Sequence, residues 1–358
     1  MQQLRLGIVG CGEVAQVIHL PSLHQCADRF AVTALCDVSA EVMNAVGDQW
    51  GIARRYQAYE DLLAQNDIDA VLIANPHAYH AEATLAAIAA GKHVLVEKPM
   101  CLTLREADAV IEAQQQGHVT VQVGYMRRYA PAFVEACRMV KELEEIRLAR
   151  VYDVIGKNEL IIDQTSRVVR GSDIPADVIA AGKAMQQALV EEAIGDAPAA
   201  LQSAYLLMLG LSTHDISAMR ELLGRPQRVL YAAQRLQGAY LSAAFDYGNF
   251  VCHYETGIDR IPRFHAGIEV FGAERVIHVK YETPYVRNLP VRLYVTEANG
   301  SGGVVEQAIQ PSWNDPFVAE WHAFYDNITK QQTPKTSPAD FRADLELFGE
   351  MIHHMQQR

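Results

Sequence analysis

The most constraining feature of this chain lies in its first fifteen residues. An apolar run over 4–9 passes directly into Gly10-Cys11-Gly12-Glu13-Val14-Ala15. A G-x-G-x-x-A pattern gains its meaning from that context, a strand before it and a helix after it. Gly10 permits the tight turn, and Gly12 lets backbone N–H groups approach a pyrophosphate. Ala15 lets the helix pack closely, with its N-terminus toward the anion. Glu13 and Val14 complete the turn and are counted with it.

Asp37 ends the second apolar run, roughly 20 residues beyond the glycine turn, where a carboxylate can accept from both ribose hydroxyls of an adenosine. No arginine follows it in Val38-Ser39-Ala40 to hold a 2′-phosphate. The pair therefore favours NAD over NADP. A helix N-cap role for Asp37 is compatible with this.

Up to about residue 124 the chain alternates β-branched runs (4–9, 32–36, 70–74, 93–96, 119–123) with Ala/Leu/Glu-rich helical runs (40–49, 80–90, 103–116). This is the rhythm of a parallel sheet covered on both faces. Gly91 and Gly117 are placed as helix C-caps. Beyond Gly124 the rhythm changes. A helical run over 130–144 leads to a strand over 148–156 and then to an Ala/Gln/Glu-rich region over 173–207. Seven closely spaced strand-like runs follow between 229 and 309, and two amphipathic helices over 316–330 and 338–355. The expectation is α/β: an N-terminal Rossmann dinucleotide-binding domain over 1–124, then an α+β domain over 125–358 with a large open, mainly antiparallel sheet.

The chain carries 31 Lys+Arg against 43 Asp+Glu, a net charge of −12, and no basic run offsets it. Phosphate backbones and anionic membrane surfaces are disfavoured as partners. No run reaches the ~20 apolar residues of a membrane span, and the start lacks a signal-peptide pattern, so a cytoplasmic location is expected. The six cysteines (Cys11, Cys26, Cys36, Cys101, Cys137, Cys252) are scattered without a C-x-x-C pair, which fits neither a metal site nor a disulfide framework.

The fourth strand runs into Asn75-Pro76-His77-Ala78-Tyr79-His80 and the fifth into Glu97-Lys98-Pro99, both at the carboxyl edge where open α/β sheets bind ligands. Together with the glycine turn, Asp37 and Gly124-Tyr125-Met126-Arg127-Arg128-Tyr129, these segments resemble the Gfo/Idh/MocA oxidoreductases, in their order and spacing. The resemblance is specific over the first ~130 residues and architectural beyond them.

The resemblance implies an NAD-dependent dehydrogenase acting on a secondary hydroxyl of a sugar, glycoside, sugar acid or cyclitol. Lys98 would touch both the substrate hydroxyl and the nicotinamide ribose. Asn75, Pro76, His77, His80 and Glu97 would line the cofactor, and Tyr125 and Arg127 would face substrate. An exposed loop lysine for Lys98, a surface ion pair for Arg128 and a core or helix-capping role for His214 are the bland alternatives.

The family carries Asp-x-x-x-His before a helix ending in Leu-Leu-Gly-x-Pro. Here Leu222-Leu223-Gly224-Arg225-Pro226 is preceded by His214, while Gly210 stands at the aspartate position. His214 is the expected general base, and Asp215, about 100° round the helix, does not replace the missing carboxylate. A keto-sugar reductase running in the opposite direction, and a non-catalytic regulator of the same fold, are the rival readings. The region between residue 156 and His214 is expected to lid the substrate pocket or to form an oligomer contact. An open sheet of this size is expected to pair with another, giving a homodimer or homotetramer.

Overall fold

In a computed structural model that describes residues 3–357, six short strands form one parallel sheet. They are β1 (Leu4–Val9), β2 (Phe30–Cys36), β3 (Arg54–Tyr56), β4 (Ala70–Ile73), β5 (His93–Glu97) and β6 (Val121–Gly124), in the order β3-β2-β1-β4-β5-β6. Ile8, Leu35, Leu72 and Leu95 are fully buried, as expected of strands covered on both faces. The strand order reverses between β1 and β4, so the outlets of β1, β2, β4 and β5 gather around one switch point. The edge strand β3 escapes sequence reading because Arg54-Arg55-Tyr56 offers no apolar run.

The crossover helices start where side chains can cap them. Ser39 Oγ accepts the Val42 N–H at 3.1 Å, and Thr103 and Glu106 form a reciprocal capping box. Gly91 takes a positive φ of 70° as expected, but Gly117 does not cap its helix. It is the last helical residue, and His118 takes the left-handed conformation at φ 53°. Gly117 serves spacing instead: a Cβ there would lie 2.7 Å from Ile88 Cγ2.

The chain forms two compact units that a linear split at residue 124 does not describe. The first takes the chain through Tyr125, then Ser166–Gly195 and Glu320–Leu345; the second takes Met126–Thr165, Asp196–Ala319 and the residues from Glu346 on. Glu320–Leu345 joins the first unit through the fully buried Trp321, whose ring meets Phe30 and Phe324 edge-on at 5.2 and 5.8 Å.

The second unit is built on β7 (Leu148–Gly156), β8 (Arg228–Arg235), β9 (Tyr240–Asp246), β10 (Val251–Asp259), β11 (Phe264–Phe271), β12 (Arg275–Tyr281), β13 (Arg292–Ala298) and β14 (Val304–Ile309). Their order is β14-β13-β12-β11-β7-β10-β9-β8. Every pair is antiparallel except β7 with β10. Alternation sends Val151, Asp153, Tyr254, Ile268, Val279 and Tyr281 to one face, where helices Pro131–Val140 and Thr213–Leu223 pack. Tyr152, His265, His278 and Tyr294 lie on the other. Tyr152 stacks on His265 at 4.5 Å and its hydroxyl meets His278 Nε2 at 2.7 Å.

Candidate functional site

Gly10 takes φ 95°, and a Cβ on it would drive into the Ala74 backbone, so the turn after β1 requires glycine. A Cβ at Gly12, by contrast, would meet no protein atom within 4 Å. Protein packing therefore does not demand its smallness, which suits a backbone shaped for close approach by an anion. The Asp37 carboxylate is fixed against this turn: one oxygen accepts the Cys11 N–H at 2.7 Å and the other the Ser39 N–H at 2.9 Å. Each oxygen keeps lone-pair capacity for a ribose hydroxyl, so the residues present fit a dinucleotide. Burial pushes the Cys11 thiol well above the ordinary cysteine range and that of Cys36 up to about 12. Neither is a reactive thiolate at neutral pH.

A strap from the Ala-rich region lies on both cofactor-binding turns of its unit. Gln16 exchanges two hydrogen bonds of 2.9 Å with the Val169 backbone, and Arg170 donates to Glu13 at 2.8 Å. Asp173 accepts from Ser39 Oγ at 2.5 Å and from the Glu41 N–H at 3.0 Å. Helix Ala176–Ile194 continues from it, and Glu192 pairs with Arg105 at 2.9 Å. The region expected to lid a substrate pocket is, over Ser166–Gly195, part of the nucleotide-binding unit.

At the outlets of β4 and β5, two residues read as cofactor ligands are committed to the protein. His80 is buried, its Nδ1 2.7 Å from the Pro99 carbonyl oxygen and its Nε2 2.6 Å from that of Asn75. The ring ties the two outlets together. Glu97 is also buried: Oε1 meets His19 Nε2 at 2.8 Å and Oε2 accepts the Lys98 N–H at 3.1 Å. Asn75 and Lys98 stay half-buried, and Pro76 and His77 are exposed, the His77 ring lying 5.4 Å from that of His80.

Tyr125, expected to face substrate, is likewise committed to the protein. Its ring is 1% exposed and its hydroxyl donates to Asp344 at 2.6 Å, so it is a core anchor of the first unit.

In the second unit Arg127 is buried and spent on two carboxyls, Asp215 at 2.5 Å and Asp153 at 2.9 Å, with its guanidinium 4.8 Å from the Tyr281 ring centroid. Burial works against its charge, but the two carboxyls outweigh that and raise its pKa further. It is a structural cation rather than a substrate ligand. Arg128 pairs with Glu221 at 2.5 Å. Burial, and then the facing Asp153, push Asp215 well above the usual carboxylate range. His214, its neighbour on the same helix, is 8% exposed. Gly210 sits in the widened turn Met208–Ser212, where a Cβ would meet nothing within 4 Å.

His19, Trp321, Asp153 and Asp173 went unread in the sequence. His19 and Asp153 are isolated polar residues in apolar runs, Trp321 stands between Glu320 and His322, and Asp173 follows Arg170-Gly171-Ser172; only the fold supplies their partners. No cluster of His, Cys, Asp or Glu suited to a metal occurs among the described residues, and no described helix is long and apolar enough to cross a membrane.

Comparison with known proteins agrees with this geometry. Residues 4–125 match the model of the GFO_IDH_MocA family, described as an oxidoreductase family with an NAD-binding Rossmann fold. Inositol 2-dehydrogenase of Salmonella typhimurium is 37% identical over 134 residues, 37% of this chain and 40% of that protein. Inositol 2-dehydrogenase/D-chiro-inositol 3-dehydrogenase of Lactiplantibacillus plantarum is 32% identical over 162 residues, 45% of this chain and 43% of the other. The chain thus spans about two fifths of the length of the curated relatives it matches. Over its whole length the fold is that of aldose-aldose oxidoreductase from Caulobacter crescentus (TM-score 0.76, 17% identity, 99% of this chain and 98% of that one). Levoglucosan dehydrogenase in complex with NADH gives TM-score 0.76 at 18% identity, with 99% and 98% covered.

Proposed function

From the premise that this chain belongs, through residues 4–125, to the Gfo/Idh/MocA oxidoreductases with their NAD-binding Rossmann fold, we propose that it oxidises a secondary hydroxyl of a sugar, glycoside, sugar acid or cyclitol to a ketone. One observation carries the reading: the glycine turn, Asp37 and Lys98 all stand at the carboxyl outlets of β1, β2 and β5 in one sheet. The named relatives that act on inositols support the cyclitol end of that substrate range.

NAD supplies the hydride acceptor. Gly10, Gly12, Glu13, Val14 and Ala15 would hold its pyrophosphate through backbone N–H groups, and Asp37 would select the unphosphorylated ribose. The Lys98 ammonium holds the oxygen of the substrate hydroxyl as negative charge develops on it. His214 of the second unit is proposed as the general base on its match to the family's histidine before Leu222-Leu223-Gly224-Arg225-Pro226 alone. Reduction of the ketone is the same path reversed. We also assign the open sheet face around Tyr152, His265, His278 and Tyr294 to a second copy of the chain; a clean monomer in sedimentation overturns that.

The test is NADH formation with a panel of sugars, glycosides, sugar acids and inositols, run beside Lys98→Ala. Turnover that disappears in Lys98→Ala while NAD binding persists supports the assignment. Turnover that survives the substitution refutes Lys98. Silence with every alcohol and with every keto-sugar plus NADH, NAD still binding, refutes the enzyme reading.

A further inference from the structure

A line of hydrogen bonds runs from deep in the first unit to Lys98. Trp321 Nε1 donates to His19 Nδ1 at 3.2 Å, His19 Nε2 lies 2.8 Å from Glu97 Oε1, and Glu97 Oε2 accepts the Lys98 N–H at 3.1 Å. Trp321, His19 and Glu97 are 0%, 0% and 8% exposed. An indole N–H can only donate, so Nδ1 of His19 must accept, and the ring's single proton sits on Nε2 and is given to Glu97. The tautomer has no freedom. Gly124 closes the other side of the carboxylate: a Cβ on it would stand 3.2 Å from Glu97 Oε1.

We infer that Trp321 and His19 are positioning residues for Lys98: by locking one histidine tautomer they hold Glu97 as a carboxylate, and Glu97 keeps the adjacent Lys98 side chain cationic. This rests on the reading of Lys98 as the group that receives the developing alkoxide. A lysine can stabilise an oxyanion only while protonated, and a buried carboxylate survives only with donors on it. Burial alone would raise Glu97; the hydrogen bond from His19, helped by the nearby Lys98 charge, opposes it, and the carboxyl is held below the usual range. Titratable groups that interact with this pair include His19, His77 and His80.

Two measurements test the inference, and neither needs turnover. In the full-length protein, 15N NMR of the histidines should show His19 with a bare Nδ1 and a protonated Nε2. An Nδ1–H tautomer, or an imidazolium at neutral pH, overturns the relay without any substitution. Reductive 13C-methylation then reports the Lys98 titration, assigned by its loss in Lys98→Arg. His19→Leu should lower the Lys98 midpoint by about one pH unit, the loss of one neighbouring charge. His19→Gln, which keeps a neutral donor toward Glu97, should restore it. A Lys98 midpoint unmoved in a folded His19→Leu protein, or moved equally in both variants, refutes the role. A relay that behaves as described in a protein showing no hydride transfer leaves the relay standing and removes the enzymatic reading.

Discussion

Asp215 and Arg127 offer a sharp energetic test, because the structure gives two neighbouring buried groups opposite charge behaviour. The Asp215 carboxyl faces Asp153 and is pushed up mainly by burial, so one proton and one negative charge are shared by the two acids beside one guanidinium. The folded-state pKa of Asp215 is raised above its unfolded value of about 3.9. Above that pH the native chain holds a proton that the unfolded chain has released, so stability falls as pH rises, by ~1.4 kcal/mol per unit for this group. Asp215→Asn removes the titration. It should cost ~1 kcal/mol or less at pH ~5, where a neutral acid and an amide differ little, and gain on the parent protein by ~1.4 kcal/mol for each further pH unit until the raised folded-state value is reached. Arg127→Met leaves the two acids without their cation, for ~3–5 kcal/mol, and also loses the cation–π contacts at 4.8 Å from Tyr281 and 5.6 Å from Phe264. Urea titrations read by hydrogen exchange on peptides from β7 and helix Thr213–Leu223 localise the effect to this unit. A pH-independent difference between parent and Asp215→Asn, at a cost equal to that of Arg127→Met, would refute the shared-proton account.

Asp37→Ser removes the ribose acceptor and should weaken NADH binding ~10- to 100-fold while NADPH weakens less; fluorescence titration with both cofactors checks it, and an unchanged ratio removes Asp37 as the discriminator. Gly210→Asp meets no steric barrier and places a carboxylate about one helical turn before His214. The His214 midpoint, followed by proton NMR, should rise by ~0.5–1 unit, and no movement would show that the two positions do not share a face. Asp173→Ala deletes acceptors for Ser39 and Glu41 and should loosen the strap locally. Trypsin should then cut faster at Arg167 and Arg170, and an unchanged rate would mean that the strap is held by other bonds.

What was legible in the sequence follows from how local each determinant is. The glycine turn needs only a strand before it and a helix after it, and Asp37 follows within a single crossover, so the cofactor-binding turns could be read with their roles. Strand β7 was legible to the residue because Leu148–Gly156 is rich in β-branched, apolar and aromatic residues and ends in glycine. The strap was not. Helix Ala176–Ile194 buries only Leu189 and Val190, so no apolar stripe marks which surface it joins, and its attachment rests on polar bonds to residues more than a hundred positions away. The roles of His80, Glu97, Tyr125 and Arg127 were misread for the same reason. A polar residue beside a ligand-binding edge looks like a ligand until its buried partner is known.

That failure bears on mechanism as well as on prediction. Glu97 and Asp215 both sit beside a proposed catalytic residue, Lys98 in one unit and His214 in the other. Both are deeply buried, and desolvation drives both toward the neutral acid. Their outcomes differ because of what each oxygen meets. Glu97 accepts two N–H groups and stays charged, whereas Asp215 meets a second carboxyl and keeps its proton. Trp321, through His19, decides the first outcome, and Asp153 the second. Neither residue belongs to the segment that carries the catalytic motif. A chain could therefore keep Glu97-Lys98-Pro99 and His214 intact and still change the protonation states of the carboxyls beside them, by exchanging Trp321 or Asp153 alone.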